Sequence, residues 1–189
     1  SPLNVCVAGG MALQDATAEK WKKVTGCPVA QGYGLTEASP VVSCNPIDGS
    51  ERLGTIGMPL PSTDVKCIDD DGNDVAMGEV GEICVKGPQV MQGYYQRPEE
   101  TKNVFTPDGW LKTGDIAKIL DDGYAQIVDR KKDMIIVSGF NVYPNEIEDV
   151  LVKHDGILEA AAIGVPDEKS TEAVKVFIVK KDQKLSKDD

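Results

Sequence analysis

From about Arg52 the chain meets turn signals too often for any long element to form. "LPSTD" (60–64), "DDDGND" (69–74), "AMGEVGE" (76–82), "TPDGW" (106–110) and "LDDGY" (120–124) cut it into short pieces. Asp-Gly between alternating segments is a hairpin signal, because glycine reaches the positive φ that a tight β-turn needs. Residues 52–128 are therefore expected to form a small antiparallel barrel or sandwich.

The flanking segments have another texture. Leu3, Val5 and Val7 alternate with polar or small residues, which predicts a strand over 3–8. A helix is predicted over 12–25, with Leu13, Ala16, Trp21 and Val24 near one face and Gly26 as its stop. A short strand follows at 28–31. Strand–helix–strand points to an α/β layer with a parallel sheet. After "VDRKKD", the stretch "MIIVSGFNVYP" predicts a strand pair. A helix is expected over 144–154: Pro144 opens it, Glu146, Glu148 and Asp149 come early, and Gly156 closes it. Two more strands are expected at 158–165 and 172–180. The fold class is thus α/β, then a β-barrel, then α+β, divided at 1–51, 52–131 and 132–189. A strand at the start and a polar tail directly after a strand suggest a piece of something larger.

A net charge of −11 argues against a nucleic-acid partner, which would call for basic surface. No apolar run approaches the ~20 residues of a membrane span. Cys6, Cys27, Cys44, Cys67 and Cys84 form no CxxC pair, so free, mostly buried thiols in a reducing cytoplasm are expected. The single histidine, His154, falls at the expected end of a helix, where a cation favours the dipole; a histidine-based triad has little support. "DDDGND" fails as a calcium loop and reads as a turn between strands.

Three stretches carry candidate chemistry. In "QGYGLTEASP" (31–40), two glycines permit close backbone approach around Tyr33. A purine stacked on that ring would gain about 1–3 kcal/mol. Thr36 offers a hydroxyl to phosphate. Glu37 offers one carboxylate, the number magnesium often takes from protein when nucleotide phosphates supply the rest. The other reading is a tight turn, with Tyr33 in the core and Thr36-Glu37 as a cap. In "GWLKTGD" (109–115), Asp115 can accept from two ribose hydroxyls; an Asx turn is the alternative. In "DRKKD" (129–133), Arg130 is a rigid donor for ribose or phosphate, and the run also reads as a linker or a solvated loop.

Taken in order, "YGLTE", "GEICVKGPQVMQGYYQRPEET", "GWLKTGD" and "DRKKDMIIVSGFNVYPNEIE" resemble the successive core motifs of the adenylate-forming superfamily. The wording is similar to bacterial long-chain fatty acid–CoA ligases, over essentially the whole chain. The resemblance implies a two-step reaction. A fatty acid attacks the α-phosphate of MgATP to give acyl-AMP, and coenzyme A then displaces AMP. It implies that Gly9, Gly10 and Met11 line the acyl and adenine pocket. Gly32, Tyr33 and Gly34 would place the ring on adenine, Thr36 would contact phosphate, and Glu37 would hold Mg2+. Asp115 and Arg130 would hold the ribose, Lys132 would be the hinge of a swinging C-terminal domain, and Gly139 would lie beside the pantetheine tunnel. The family's phosphate-binding loop precedes these motifs and its catalytic lysine follows them, so this stretch is expected to be an internal fragment, inactive alone. A synthetase for medium-chain or aryl acids, and a non-catalytic nucleotide-binding module, remain the alternatives. The expected partners are fatty acid, ATP and coenzyme A. The expected setting is cytoplasmic, with peripheral contact at the membrane's inner face conceivable for an enzyme of long-chain acids, although no amphipathic basic helix is visible.

Overall fold

The computed structural model describes residues 3–11, 13 and 15–181. The chain divides into two compact units, Ser1–Ile127 and Val128–Asp189.

The first unit opens with strand β1 (Cys6–Ala8), helix α1 (Asp15–Thr25) and strand β2 (Val29–Gly34). β1 and β2 pair in parallel, Val7 opposite Ala30, as the strand–helix–strand pattern requires. β3 (Val41–Cys44) and β4 (Met58–Pro59) extend this sheet antiparallel, giving the order β1-β2-β3-β4. The expected apolar face of α1 is not the buried one. Ala18 is buried, whereas Trp21 and Val24 stay exposed; Ala16 lies outside the side chains described.

The turn-rich stretch forms a second sheet, β5 (Asp64–Ile68), β6 (Val80–Lys86), β7 (Leu111–Ile119) and β8 (Ala125–Arg130), in that order. The turn chemistry is as read: the Asp69 carboxylate accepts from the amides of Asp71 and Asn73 at 2.9 and 2.8 Å, folding "DDDGND" back on itself. Residues 56–57 stitch this sheet to the first, since Ile56 N–H donates to the Ala125 carbonyl and Ala125 N–H to that of Gly57. Gly57 must be glycine there: its φ is +80°, and a Cβ would lie 2.1 Å from the Cys44 carbonyl carbon. Two elements are unforeseen: β3 in the first sheet and, in this stretch, helix α2 (Pro98–Val104), which has proline in its first turn together with Glu99 and Glu100.

Two hydrophobic clusters hold this unit. Ile56, Cys67, Ile83, Ala117 and Ala125 form one; Ala38, Val42 and Val85 form the other. Ile83, Val42 and Val85 have no exposed surface, and burying each contributes about 1.5–3 kcal/mol.

The second unit carries the hairpin β9 (Ile135–Val137)–β10 (Phe140–Val142), helix α3 (Pro144–Leu151) and the long pair β11 (Ile157–Asp167)–β12 (Thr171–Lys180). Its sheet order is β10-β9-β12-β11. His154 lies past the end of α3. Its Nδ1 accepts from Gly156 N–H at 3.1 Å, so the side chain shapes the turn that follows the helix rather than lying in its last turn.

Candidate nucleotide site

Gly-Tyr-Gly is the end of a strand rather than a loop. Gly32 and Tyr33 pair with Cys44 and Ser43, then the register slips so that Gly34 faces Val41. Glycine is required at 34: a Cβ would sit 2.2 Å from the Pro40 carbonyl oxygen, which accepts from Leu35 N–H at 2.8 Å. Gly9 approaches the same strand, where a Cβ would lie 3.2 Å from the Gly32 oxygen. Gly10 has a φ of +89°, and Met11 beside it is exposed.

Beyond Gly34 the chain makes one tight 3-10 turn, Thr36–Ala38, and ends it on Ser39 in the left-handed region, with a cis peptide to Pro40. Neither Thr36 nor Glu37 caps this turn, since its N-cap is Leu35 and it has no side-chain cap hydrogen bond. Thr36 is left exposed and Glu37 half-buried. Ala38 anchors the turn in the second hydrophobic cluster.

Asp115 lies within β7, not in a turn. Between the pairs Glu82–Ile116 and Cys84–Lys112, three residues of β7 face one of β6, a bulge that re-aims the strand. Thr113 Oγ1 donates to the Ile83 carbonyl at 2.8 Å and accepts from Asp115 N–H at 3.1 Å. Gly114 N–H donates to the buried Glu82 carboxylate at 3.1 Å. The bulge brings Asp115 to the opening stretch: the Tyr33 hydroxyl donates to its Oδ2 at 2.5 Å. Tyr33 is thus held at both ends, its ring packed on the two hydrophobic clusters and its hydroxyl on a carboxylate.

Glu37 has a partner that sequence reasoning missed. Tyr94 O–H donates to Glu37 Oε1 at 2.7 Å, and Met91 N–H donates to the Glu37 carbonyl at 2.7 Å. The carboxylate that accepts this hydrogen bond pushes the Tyr94 phenol above its ordinary pKa. The only sequence signal for Tyr94 was its place in "MQGYYQRPEE".

In the second unit Arg130 is exposed at the end of β8, and Lys132 is exposed in the turn that follows. Gly139, with φ +85°, turns the β9–β10 hairpin together with Ser138, φ +52°. Asp129 was read only as part of a charged run, yet it is 3% exposed. Its carboxylate accepts from Arg130 N–H at 2.7 Å and from Asn145 N–H, in the first turn of α3, at 3.0 Å. The charged run is thus anchored at its first residue.

An aromatic face tied to a carboxylate, with a second half-exposed carboxylate one turn away in sequence, is an arrangement suited to a nucleotide. Residues 1–95 match the AMP-binding enzyme family, and residues 146–189 match the AMP-binding enzyme C-terminal domain. The chain belongs to the AMP-binding enzyme family. It is 60% identical over 186 residues to a long-chain-fatty-acid–CoA ligase of Yersinia pestis, and 58% identical over 188 residues to that of Salmonella typhimurium. These alignments cover 98% and 100% of this chain and 33% of each relative, so the chain spans about a third of their length. Among solved structures, ATP-bound MatB from Rhodopseudomonas palustris superposes with a TM-score of 0.89 at 39% identity, over 93% of this chain and 35% of that one. The architecture above is therefore part of the adenylate-forming fold. No helix among the described residues is long and apolar enough to cross a membrane.

Proposed function

We propose that this chain is part of an enzyme that activates a long-chain fatty acid with ATP and transfers it to coenzyme A. The Tyr33–Asp115 hydrogen bond is the observation that carries the nucleotide half of this reading, because it sets a base-sized ring beside an acceptor for ribose hydroxyls. The names of the relatives support the acyl half.

In the first step a carboxylate oxygen attacks the α-phosphorus and the bond to pyrophosphate breaks. In the second, the thiol sulfur attacks the acyl carbonyl and AMP leaves. In this reading Tyr33 orients the base, Asp115 holds the ribose and Thr36 donates to phosphate. Gly9, Gly10 and Met11 line the acyl and adenine pocket. The residues fit a magnesium ion held mainly by nucleotide. Glu37 supplies one hard oxygen donor, and no group of three or more His, Cys, Asp or Glu among the described residues forms a cage. Bound there, magnesium would offset charge on the phosphates. Arg130 as a ribose or phosphate donor, Lys132 as a hinge, Gly139 beside the pantetheine path and the division at 1–51, 52–131 and 132–189 rest on the motifs of the sequence alone. A cytoplasmic setting belongs to the same reading, supported by five free thiols, as does peripheral contact with the membrane that holds the acid.

The test is ATP–pyrophosphate exchange by the full-length protein across acids from acetate to C18. A maximum with long acids is the expected result. Exchange with short or aryl acids only would overturn the substrate, and no exchange with any acid would turn the protein into a non-catalytic nucleotide binder. The 189-residue chain by itself is expected to be inactive in this assay.

A further inference from the structure

The segment 91–101 is fastened onto Glu37 in a way that the roles above do not require. It reaches that residue twice, by Met91 N–H to the main-chain carbonyl and by Tyr94 O–H to the carboxylate. Tyr94 is itself fixed from behind. Its N–H donates to Thr101 Oγ1 on α2 at 2.8 Å, and its carbonyl accepts from Arg97 N–H at 3.2 Å. Thr101 Oγ1 also donates to the Arg97 carbonyl at 2.8 Å, closing a small ring of hydrogen bonds. Gly93, with φ +152°, leaves room for the Thr101 side chain, which a Cβ would approach within 2.7 Å. The neighbouring Tyr95, whose hydroxyl accepts only from the adjacent Gln96 side chain at 3.3 Å among the bonds described, is 88% exposed, against 36% for Tyr94.

We propose that Tyr94 is a positioning residue for Glu37, occupying Oε1 and aiming Oε2 as the single oxygen offered to the metal of a bound metal–nucleotide. The inference rests on the reading of Glu37 as the magnesium ligand. A freely rotating glutamate would present either oxygen, or both, and would lose side-chain entropy on binding. A glutamate already held by a phenol on a braced loop has lost that freedom beforehand. The chemistry is that of an outer partner orienting a metal ligand. Tyr94 touches neither nucleotide nor metal in this account.

The experiment is calorimetric titration of ATP into the full-length protein, with magnesium and then with excess EDTA, for wild type, Tyr94→Phe and Glu37→Gln. The quantity read is the gain in ATP affinity that magnesium gives. Tyr94→Phe is expected to cut that gain about tenfold, the low end for outer partners of metal ligands, while leaving the affinity in EDTA within about twofold. Glu37→Gln is expected to abolish the gain. If Tyr94→Phe keeps the wild-type gain while Glu37→Gln loses it, the positioning role is wrong and the Glu37 reading survives. If both variants keep the gain, Glu37 does not hold the metal and the functional reading fails at that point. Equal weakening with and without magnesium would make Tyr94 a structural residue and overturn the proposal. Because the phenylalanine ring fills the same space at a partly exposed position, folding of this variant is not in question.

Discussion

Replacing Asp129 with alanine isolates one buried carboxylate and its two backbone donors. Its oxygens accept from Arg130 N–H and Asn145 N–H, and only 3% of the residue is exposed. Each hydrogen bond to a charged group is worth about 1.5–3 kcal/mol, and loss of a helix N-cap alone costs about 0.5–2 kcal/mol. The two overlap, because Arg130 N–H can recover a water at the exposed end of β8 while the Asn145 amide is left with less. A net loss of about 3 kcal/mol in the first turn of α3 is the working figure. It should fall on local opening of α3, because the N-cap residue Tyr143 does not cap the helix with its side chain. Amide hydrogen exchange read by mass spectrometry on a peptide spanning 143–151 is the assay. A 3 kcal/mol loss corresponds to exchange about 100-fold faster when opening is rapid. Asp129→Asn keeps one acceptor oxygen and should fall between. Exchange in this peptide that stays within about threefold of wild type for Asp129→Ala would refute the view that Asp129 caps the helix.

Gly34→Ala drives a Cβ to 2.2 Å from the Pro40 oxygen and threatens the Leu35–Pro40 bond; a cost of about 2–4 kcal/mol should lower the melting temperature by about 5–12 °C in thermal denaturation. Tyr33→Phe keeps the ring but frees Asp115 of one partner, so AMP binding measured by calorimetry should weaken about tenfold; unchanged affinity would separate Asp115 from the ribose. Burial pushes the Cys67 thiol up to about 11 and the Cys84 thiol up to about 12. Above pH 9 the unfolded chain therefore releases protons that the folded chain retains. The stability these thiols contribute is fully present below that pH and falls as pH rises from 9 towards 11 and 12, which urea titrations across that range would read. For the same reason both thiols should resist disulfide reagents at pH 8 until the protein unfolds.

Much of this was legible because it is local. The Asp69 turn, the Ser138–Gly139 hairpin and the start of α3 at Pro144 are each written in neighbouring residues. The end of β2 was harder, because glycine is a poor strand former and Gly32 and Gly34 disguise the pairing that continues through them. Helix α2 carries its own start signals at Pro98, Glu99 and Glu100, but its seven residues bury no side chain and so leave no apolar period to detect. The partners within the site were beyond local reading. Tyr94 meets Glu37 across 57 positions, and Tyr33 meets Asp115 across 82. Residue types suggested which groups a nucleotide would want; only the bulge in β7 and the brace of the 91–101 segment say how those groups are held.

The double packing of Tyr33 has a consequence for how such a chain can diverge. Its ring belongs to the cluster around Ile83 and also to the one around Val42 and Val85. Replacing the ring by one of another shape would leave a void or an overlap on two sides at once, and cores tolerate volume changes only when neighbours change in step. Drift at this position therefore needs coordinated substitutions in both sheets, whereas Met11, 82% exposed after Gly9 and Gly10, can change alone. Under the proposed function, descendants of this sequence would swap acids far more readily than they swap the nucleotide.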